Sequence, residues 1–177
     1  MIKYFFIAIS CYHFIFYSIF GQELPIKIKS VTISGNNSIS KKELMPLLRQ
    51  RPSNFSFTFK GTSFNGRLLK MDSFTLKNYF ISKGFLLVEV RESYEINDNT
   101  ADIHFKINEG KQFFVSKVQI SGNQHLTEGQ IKSILNLRER EPFNSVLLNE
   151  RVTELQKNLE YFSKLFSTIE IEPIISD

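Results

Sequence analysis

Three histidines, one cysteine and eighteen carboxylate side chains are the groups in this 177-residue chain with the chemistry for proton transfer, nucleophilic attack or metal binding. Their spacing builds no centre. His13 lies in an apolar leader, His104 on the polar face of an expected strand, and His125 in a turn, so no two share an element. Asp98 and Asp102 flank an expected hairpin turn, where carboxylates serve the turn itself. Cys11 sits within the leader with Ala8 three positions earlier, a poor match to a lipid-attachment signal. The rest of the chain has no cysteine, hence neither disulfides nor thiolate metal sites. Nucleophile-elbow, P-loop and His-Glu-x-x-His patterns are absent. Gly35-Asn36 and Gly122-Asn123 are not phosphate loops, because neither is a multi-glycine run leading directly into a helix. Asn36-Asn37-Ser38 and Asn54-Phe55-Ser56 match glycosylation acceptors, a pattern short enough to recur by chance. The expectation is a protein without catalytic, cofactor or metal sites. An exported enzyme would need a pocket of perturbed groups that these residues do not supply.

Composition points the same way. Hydrophobic residues make up 42%, with eighteen Phe and no Trp, which supports packed Phe-rich cores. The net charge of +4 comes from 22 basic residues scattered among 18 acidic ones. No basic run with interleaved aromatics occurs, so nucleic acid is not an expected partner.

The elements that position these residues begin after the leader. Residues 1–21 carry Lys3, then Tyr4 to Phe20 without a charge, and the small Gly21, which describes a secretory signal peptide. The rival is an uncleaved anchor, although residues 4–20 are at the lower limit for spanning and contain His13 and Ser18. Under either reading, the chain beyond Gly21 is expected to be exported.

Val31-Thr32-Ile33-Ser34-Gly35-Asn36 then recurs as Val118-Gln119-Ile120-Ser121-Gly122-Asn123, 87 residues later. Such self-similarity decides the architecture. The same offset maps Ile26 and Ile28 onto Phe113 and Val115, with a phase change at Val31 and Val118 that predicts a β-bulge or a change of buried face. Ser40-x-x-Glu43 and Thr127-x-x-Gln130 read as capping boxes, with Ile39/Leu44 and Leu126/Ile131 as hydrophobic staples. Leu44, Leu47 and Leu48 match Ile131, Ile134 and Leu135 as a helical stripe, and Pro46 should shorten the first of these helices. The first copy then carries about eight extra residues within 51–61, where Phe55, Phe57 and Phe59 alternate like a short strand or ordered loop. Phe64-Asn65 and Phe143-Asn144 restore the register and open second helices with Asn as N-cap. The later one carries Leu148, Val152, Leu155, Leu159 and Phe162 as a stripe. Gly84 is the expected C-cap of the earlier one.

Leu86, Val88 and Val90 alternate with Leu87, Glu89 and Arg91 as a half-buried strand. Asn97-Asp98-Asn99 turns the chain, and Ala101, Ile103, Phe105 and Ile107 form a second strand before Glu109-Gly110. In the second copy Thr168 to Glu172 reads as the equivalent of the first of these strands, and the last strand has no counterpart.

This β-α-α-β-β unit, with Val-x-Ile-x-Gly-Asn, Lys-Gly-Phe after the second helix and a closing Glu-Gly, resembles the POTRA domain. Tandem units behind a signal peptide look like the periplasmic arm of the outer-membrane protein assembly factor (BamA/TamA-like) surface antigen family. The resemblance implies an α+β fold: tandem POTRA units at 25–110 and 111–177, each a three-stranded mixed sheet on two helices, the second lacking its last strand. If the family's sheet order applies, that strand is central, and the second unit is expected to be the less stable. A family C-terminal barrel is expected to be missing from this chain, which has no successive ten-residue alternating strands.

The function implied is a periplasmic, non-catalytic scaffold for outer-membrane protein assembly or transport. Its partners would be unfolded outer-membrane clients or assembly-complex subunits, bound by adding a strand to an exposed sheet edge. The edge expected to serve is Phe85 to Tyr94, with Phe85, Leu87, Glu89 and Arg91 as binding residues and Leu44, Leu47 and Leu48 as neighbouring apolar groups. Glu89→Pro is the expected way to block it. The alternative is a membrane-anchored POTRA protein docking a partner complex, as in the cell-division machinery.

Overall fold

The computed structural model describes residues 25–52, 62–123, 126–163 and 169–172. The leader with Cys11 and His13, the Phe55–Phe59 alternation, His125, Thr168 and the side chain of Phe162 lie outside the described residues.

The first unit is built from β1 (Lys27–Ser34), α1 (Lys41–Leu44), a 3₁₀ turn (Met45–Leu47), α2 (Gly66–Ser82), β2 (Glu89–Asn97) and β3 (Thr100–Asn108). Its sheet runs β1-β3-β2, with β3 parallel to β1 and antiparallel to β2. The register slips between Ile28 and Ser30, at the phase change in the sequence. Ala101, Ile103, Phe105 and Ile107, one face of the central strand, are buried under the helices with Leu44, Leu48, Leu69, Leu76 and Phe80.

Pro46 acts as its chemistry requires. It has no amide to continue an α-helix, so α1 ends at Leu44 and passes into 3₁₀ geometry. Its counterpart at +87, α3 (Glu128–Leu135), runs uninterrupted for eight residues. The caps differ as well. Thr127 and Gln130 form both bonds of the capping box. In the first unit only the Ser40 half forms, because the Glu43 carboxylate instead accepts the Tyr79 hydroxyl and approaches Lys83 Nζ at 3.7 Å.

The helix end at Gly84 is a Schellman motif. Phe85 N–H donates to Phe80 O at 3.1 Å and Gly84 N–H to Ile81 O at 3.0 Å, with Gly84 at φ +92°. The accompanying apolar contact is Phe80 on Phe85, edge to face at 5.7 Å.

The repeat is physical, not only textual. Gly35 and Gly122 adopt φ +79° and +77°, and the side-chain amides of Asn36 and Asn123 donate to Ile39 O and Leu126 O at 2.9 and 2.7 Å. Phe64 N–H donates to Ile26 O just as Phe143 N–H donates to Phe113 O. The difference lies in what surrounds the glycines. A Cβ on Gly35 would fall 2.0 Å from Ile107 O of β3, whereas one on Gly122 would meet nothing within 4 Å among the described residues.

That contrast explains a correction. Val118–Ile120 and 169–172, expected as strands, form no ladder among the described residues. In the first unit the corresponding segments β1 and β2 do not pair with each other; both pair with β3. Strand geometry depends on a partner, and no described segment occupies the β3 position here. The second unit is therefore described by α3, α4 (Ser145–Ser163) and a core of Leu135, Leu148 and Leu155.

Candidate functional site: the β2 edge

Among the described residues, strand order leaves β2 with one partner, so its far side is an open edge. The start of β1, on the opposite side, is covered by an isolated bridge from Lys27 to Ser63 and by Phe64 N–H bonded to Ile26 O at 2.8 Å.

Which backbone groups β2 offers is settled by its turn. Asp98 and Asn99, at φ +48° and +61°, form a two-residue hairpin loop closed by the Asn97–Thr100 pair. The closing pair of such a loop is hydrogen-bonded, and pairing alternates from there. Residues 97, 95, 93, 91 and 89 therefore aim their backbone at β3, while Ile96, Tyr94, Glu92 and Val90 aim theirs outward. Ser73 Oγ, donating to Val90 O at 3.4 Å from outside the ladder, agrees with this parity.

The expected strand start is corrected accordingly. The chain turns through Phe85–Val88 under the Schellman cap, with Leu86 N–H on Gly84 O and Val88 N–H on Phe85 O, and β2 begins at Glu89. Phe85 is buried in the core at 3% exposure. Leu87 is exposed but precedes the strand. Glu89 and Arg91 do lie on the exposed sheet face, ion-paired to each other at 3.0 Å. Their backbone groups are committed to β3. Leu44 and Leu48 are buried at 0% and 1%, and Leu47 packs partly buried against the same core, so none lies beside the edge as an open docking group.

The residues beside the open edge are others. An open groove of about 720 Å³ runs between α2 and β2, lined by Gly66, Arg67, Leu69, Lys70, Glu92, Ser93 and Tyr94. The Tyr94 ring meets Phe64 at a tilt, centroids 4.5 Å apart, and Tyr94 and Ile96 are about half exposed. The signal that could have found them is the length of the turn. Counting back from a two-residue Asp98-Asn99 loop assigns the outward backbone to even positions.

Other polar groups serve the fold. Asp72 is fully buried and accepts Arg49 N–H and Gln50 N–H at 2.9 and 3.0 Å, and burial pushes its carboxyl above the ordinary value against the pull of those amides. Gln50 Oε1 accepts Asn65 N–H at 2.6 Å, tying this corner to the α2 cap. Glu109 receives Ser38 N–H and Oγ at 2.8 and 2.7 Å. His104 stands on the exposed sheet face hydrogen-bonded to Thr32, and Asp102 accepts Ser30 Oγ at 2.5 Å. Among the described residues no three His, Cys, Asp or Glu groups gather as metal ligands, and no helix is long and apolar enough to cross a membrane.

A family model described as POTRA, surface antigen variable number repeat, matches residues 26–110 and again 113–176. The outer membrane protein assembly factor BamA of Nitratidesulfovibrio vulgaris is 25% identical over 120 residues, covering 67% of this chain and 14% of that protein. BamA of Buchnera aphidicola is 24% identical over 160 residues, covering 88% of this chain and 26% of its own length. The crystal structure of BamA POTRA3-5 from Haemophilus influenzae matches with a TM-score of 0.53 at 20% identity, covering 77% of this chain and 54% of that one. The chain thus spans about a quarter or less of the curated relatives it matches.

Proposed function

The chain belongs to the POTRA family, and on that premise we propose that it is a non-catalytic periplasmic scaffold in outer-membrane protein assembly or transport. It takes an extended segment of an unfolded outer-membrane client, or of an assembly-complex subunit, as an additional strand on the edge of β2. Backbone hydrogen bonding supplies affinity that tolerates client sequence, and side-chain pockets at alternate positions supply preference. The observation supporting the reading is that the outward backbone groups of Glu92 and Tyr94, on the unpaired side of β2, border the groove against α2.

Titration of the isotope-labelled protein with a peptide copying one strand of an outer-membrane barrel tests it. The expected result is amide shifts at Glu92, Tyr94 and Ile96, with intermolecular contacts between backbones. Shifts confined to β1 or to the second unit would refute it. The outer membrane would be reached through a barrel of the kind the resemblance implies. The apolar run at 4–20 keeps one rival alive, a membrane-anchored POTRA protein docking a partner complex such as the division machinery. N-terminal sequencing of the mature protein separates them.

A further inference from the structure

The adjoining face of α2, which shares Arg67 and Lys70 with the groove, carries a second interaction surface. Along α2 the exposed positions Arg67, Lys70, Met71, Phe74 and Lys77 fall at helical spacing on one arc. Phe74 is 64% exposed at its middle and Met71 40%. Arg49, from the preceding loop, reaches Met71 Sδ with its guanidinium at 4.0 Å. The only acid in α2, Asp72, is fully buried on another face, so the arc has no anionic member of its own. Glu92 lines the groove together with Arg67 and Lys70.

The second unit supplies an internal control. Matching Asn65 to Asn144 superposes the buried Leu69 and Leu76 on the buried Leu148 and Leu155. The same register maps Lys70, Met71, Phe74 and Lys77 onto Asn149, Glu150, Thr153 and Gln156. A helix of this fold packs its core without any of those four residues. The stripe on α2 is therefore not required by the architecture.

We infer that the exposed face of α2 docks onto an anionic phospholipid surface. Its apolar centre, Met71 and Phe74, stands on the convex helix surface outside the groove, with Arg67, Lys70 and Lys77 beside it. A large side chain at the middle of such an arc enters the headgroup and acyl boundary, while Arg and Lys stems lie along it and their charges reach lipid phosphates. Each cation near an anionic surface is worth on the order of 1 kcal/mol, so removing two lowers partition roughly 30-fold. Charge complementarity selects anionic over neutral lipid.

The chain contains no tryptophan, which makes the test direct. Phe74→Trp places a single fluorophore at the centre of the arc, and Thr153→Trp places one at the matching position of α4. Both are made in the full chain, so the apolar leader is common to them. With vesicles of phosphatidylethanolamine and phosphatidylglycerol, Phe74→Trp emission should shift to the blue, weaken with added salt, and stay unshifted with phosphatidylcholine vesicles. Lys70→Gln with Lys77→Gln, at exposed positions, should lower the titrated partition about 30-fold. Thr153→Trp should not respond. An equal shift with neutral vesicles, an equal response from Thr153→Trp, or no shift with either vesicle would overturn the inference. The last outcome would point instead to an acidic protein partner for this face.

Discussion

The carbonyl of Gly84 accepts Phe113 N–H at 2.8 Å, while the Phe113 carbonyl lies 2.7 Å from where a Cβ on residue 84 would sit. One glycine thus ends α2 in a left-handed conformation and admits the backbone that leads into the second repeat. Gln112 Nε2 adds a bond to Lys83 O at 2.8 Å, so the joint is held at two successive carbonyls.

Gly84→Ala should therefore cost more than a left-handed residue alone. That conformation disfavours L side chains by about 1–2 kcal/mol, and the contact with Phe113 O adds to it. Denaturant unfolding should show a loss of at least about 2 kcal/mol. Amide exchange at Phe113 should accelerate more than exchange within β3. An unchanged midpoint would mean that the joint is not formed in solution.

Proline scanning of β2 separates the edge from the ladder. Glu92→Pro removes an outward N–H, which an edge strand tolerates, so the fold should survive while client peptide binding is lost. Glu89→Pro removes an amide facing β3 and should destabilise the sheet, making it the poorer probe although its side chain is exposed. Retained peptide binding in a folded Glu92→Pro variant would exclude augmentation at this edge.

Asp72 gives the first unit a pH dependence of unusual sign for a carboxylate. Its folded pKa is raised above the ordinary 3.8, chiefly by burial, so the folded state holds this proton more tightly than the unfolded chain. Its contribution is full below the unfolded value and declines as pH rises through the folded one. Asp72→Asn has no such proton. The advantage of wild type over Asp72→Asn in unfolding free energy should shrink as pH rises from about 3 towards neutrality. A growing advantage would mean that the two amides, not burial, dominate the carboxylate.

Hydrogen exchange should distinguish the repeats. Fourteen residues form the buried apolar cluster of the first unit and three that of the second, among the described residues. Amides across 113–172 should exchange faster than those across 26–108, since local opening is limited by buried apolar contact. Equal protection would show that the second unit is held by contacts beyond those described.

Much of the architecture was legible because it arises from local chemistry. Gly-Asn turns, hydroxyl caps, a proline that stops a helix and a glycine that ends one act within a few residues, and the repeat displayed them twice. Burial of Ala101, Ile103, Phe105 and Ile107 is implied by alternation alone. The edge proposed to bind was less legible. Side-chain alternation marked Glu89 and Arg91 as outward, but a strand has two directions perpendicular to its axis, and backbone groups alternate along the other one.

By itself the sequence determined the unit, its repeat, its caps and its core faces, since these depend on residue type at short spacing. The resemblance implied a central β3 and an exposed edge at β2; only the tertiary structure decided that this order holds and that Leu44 and Leu48 are core rather than surface. It also decided that Gly35 is wedged against Ile107 while Gly122 meets no such neighbour among the described residues. The physical reason is common to all of these. Each depends on which distant strand lies alongside, and no local preference encodes a neighbour some seventy residues away.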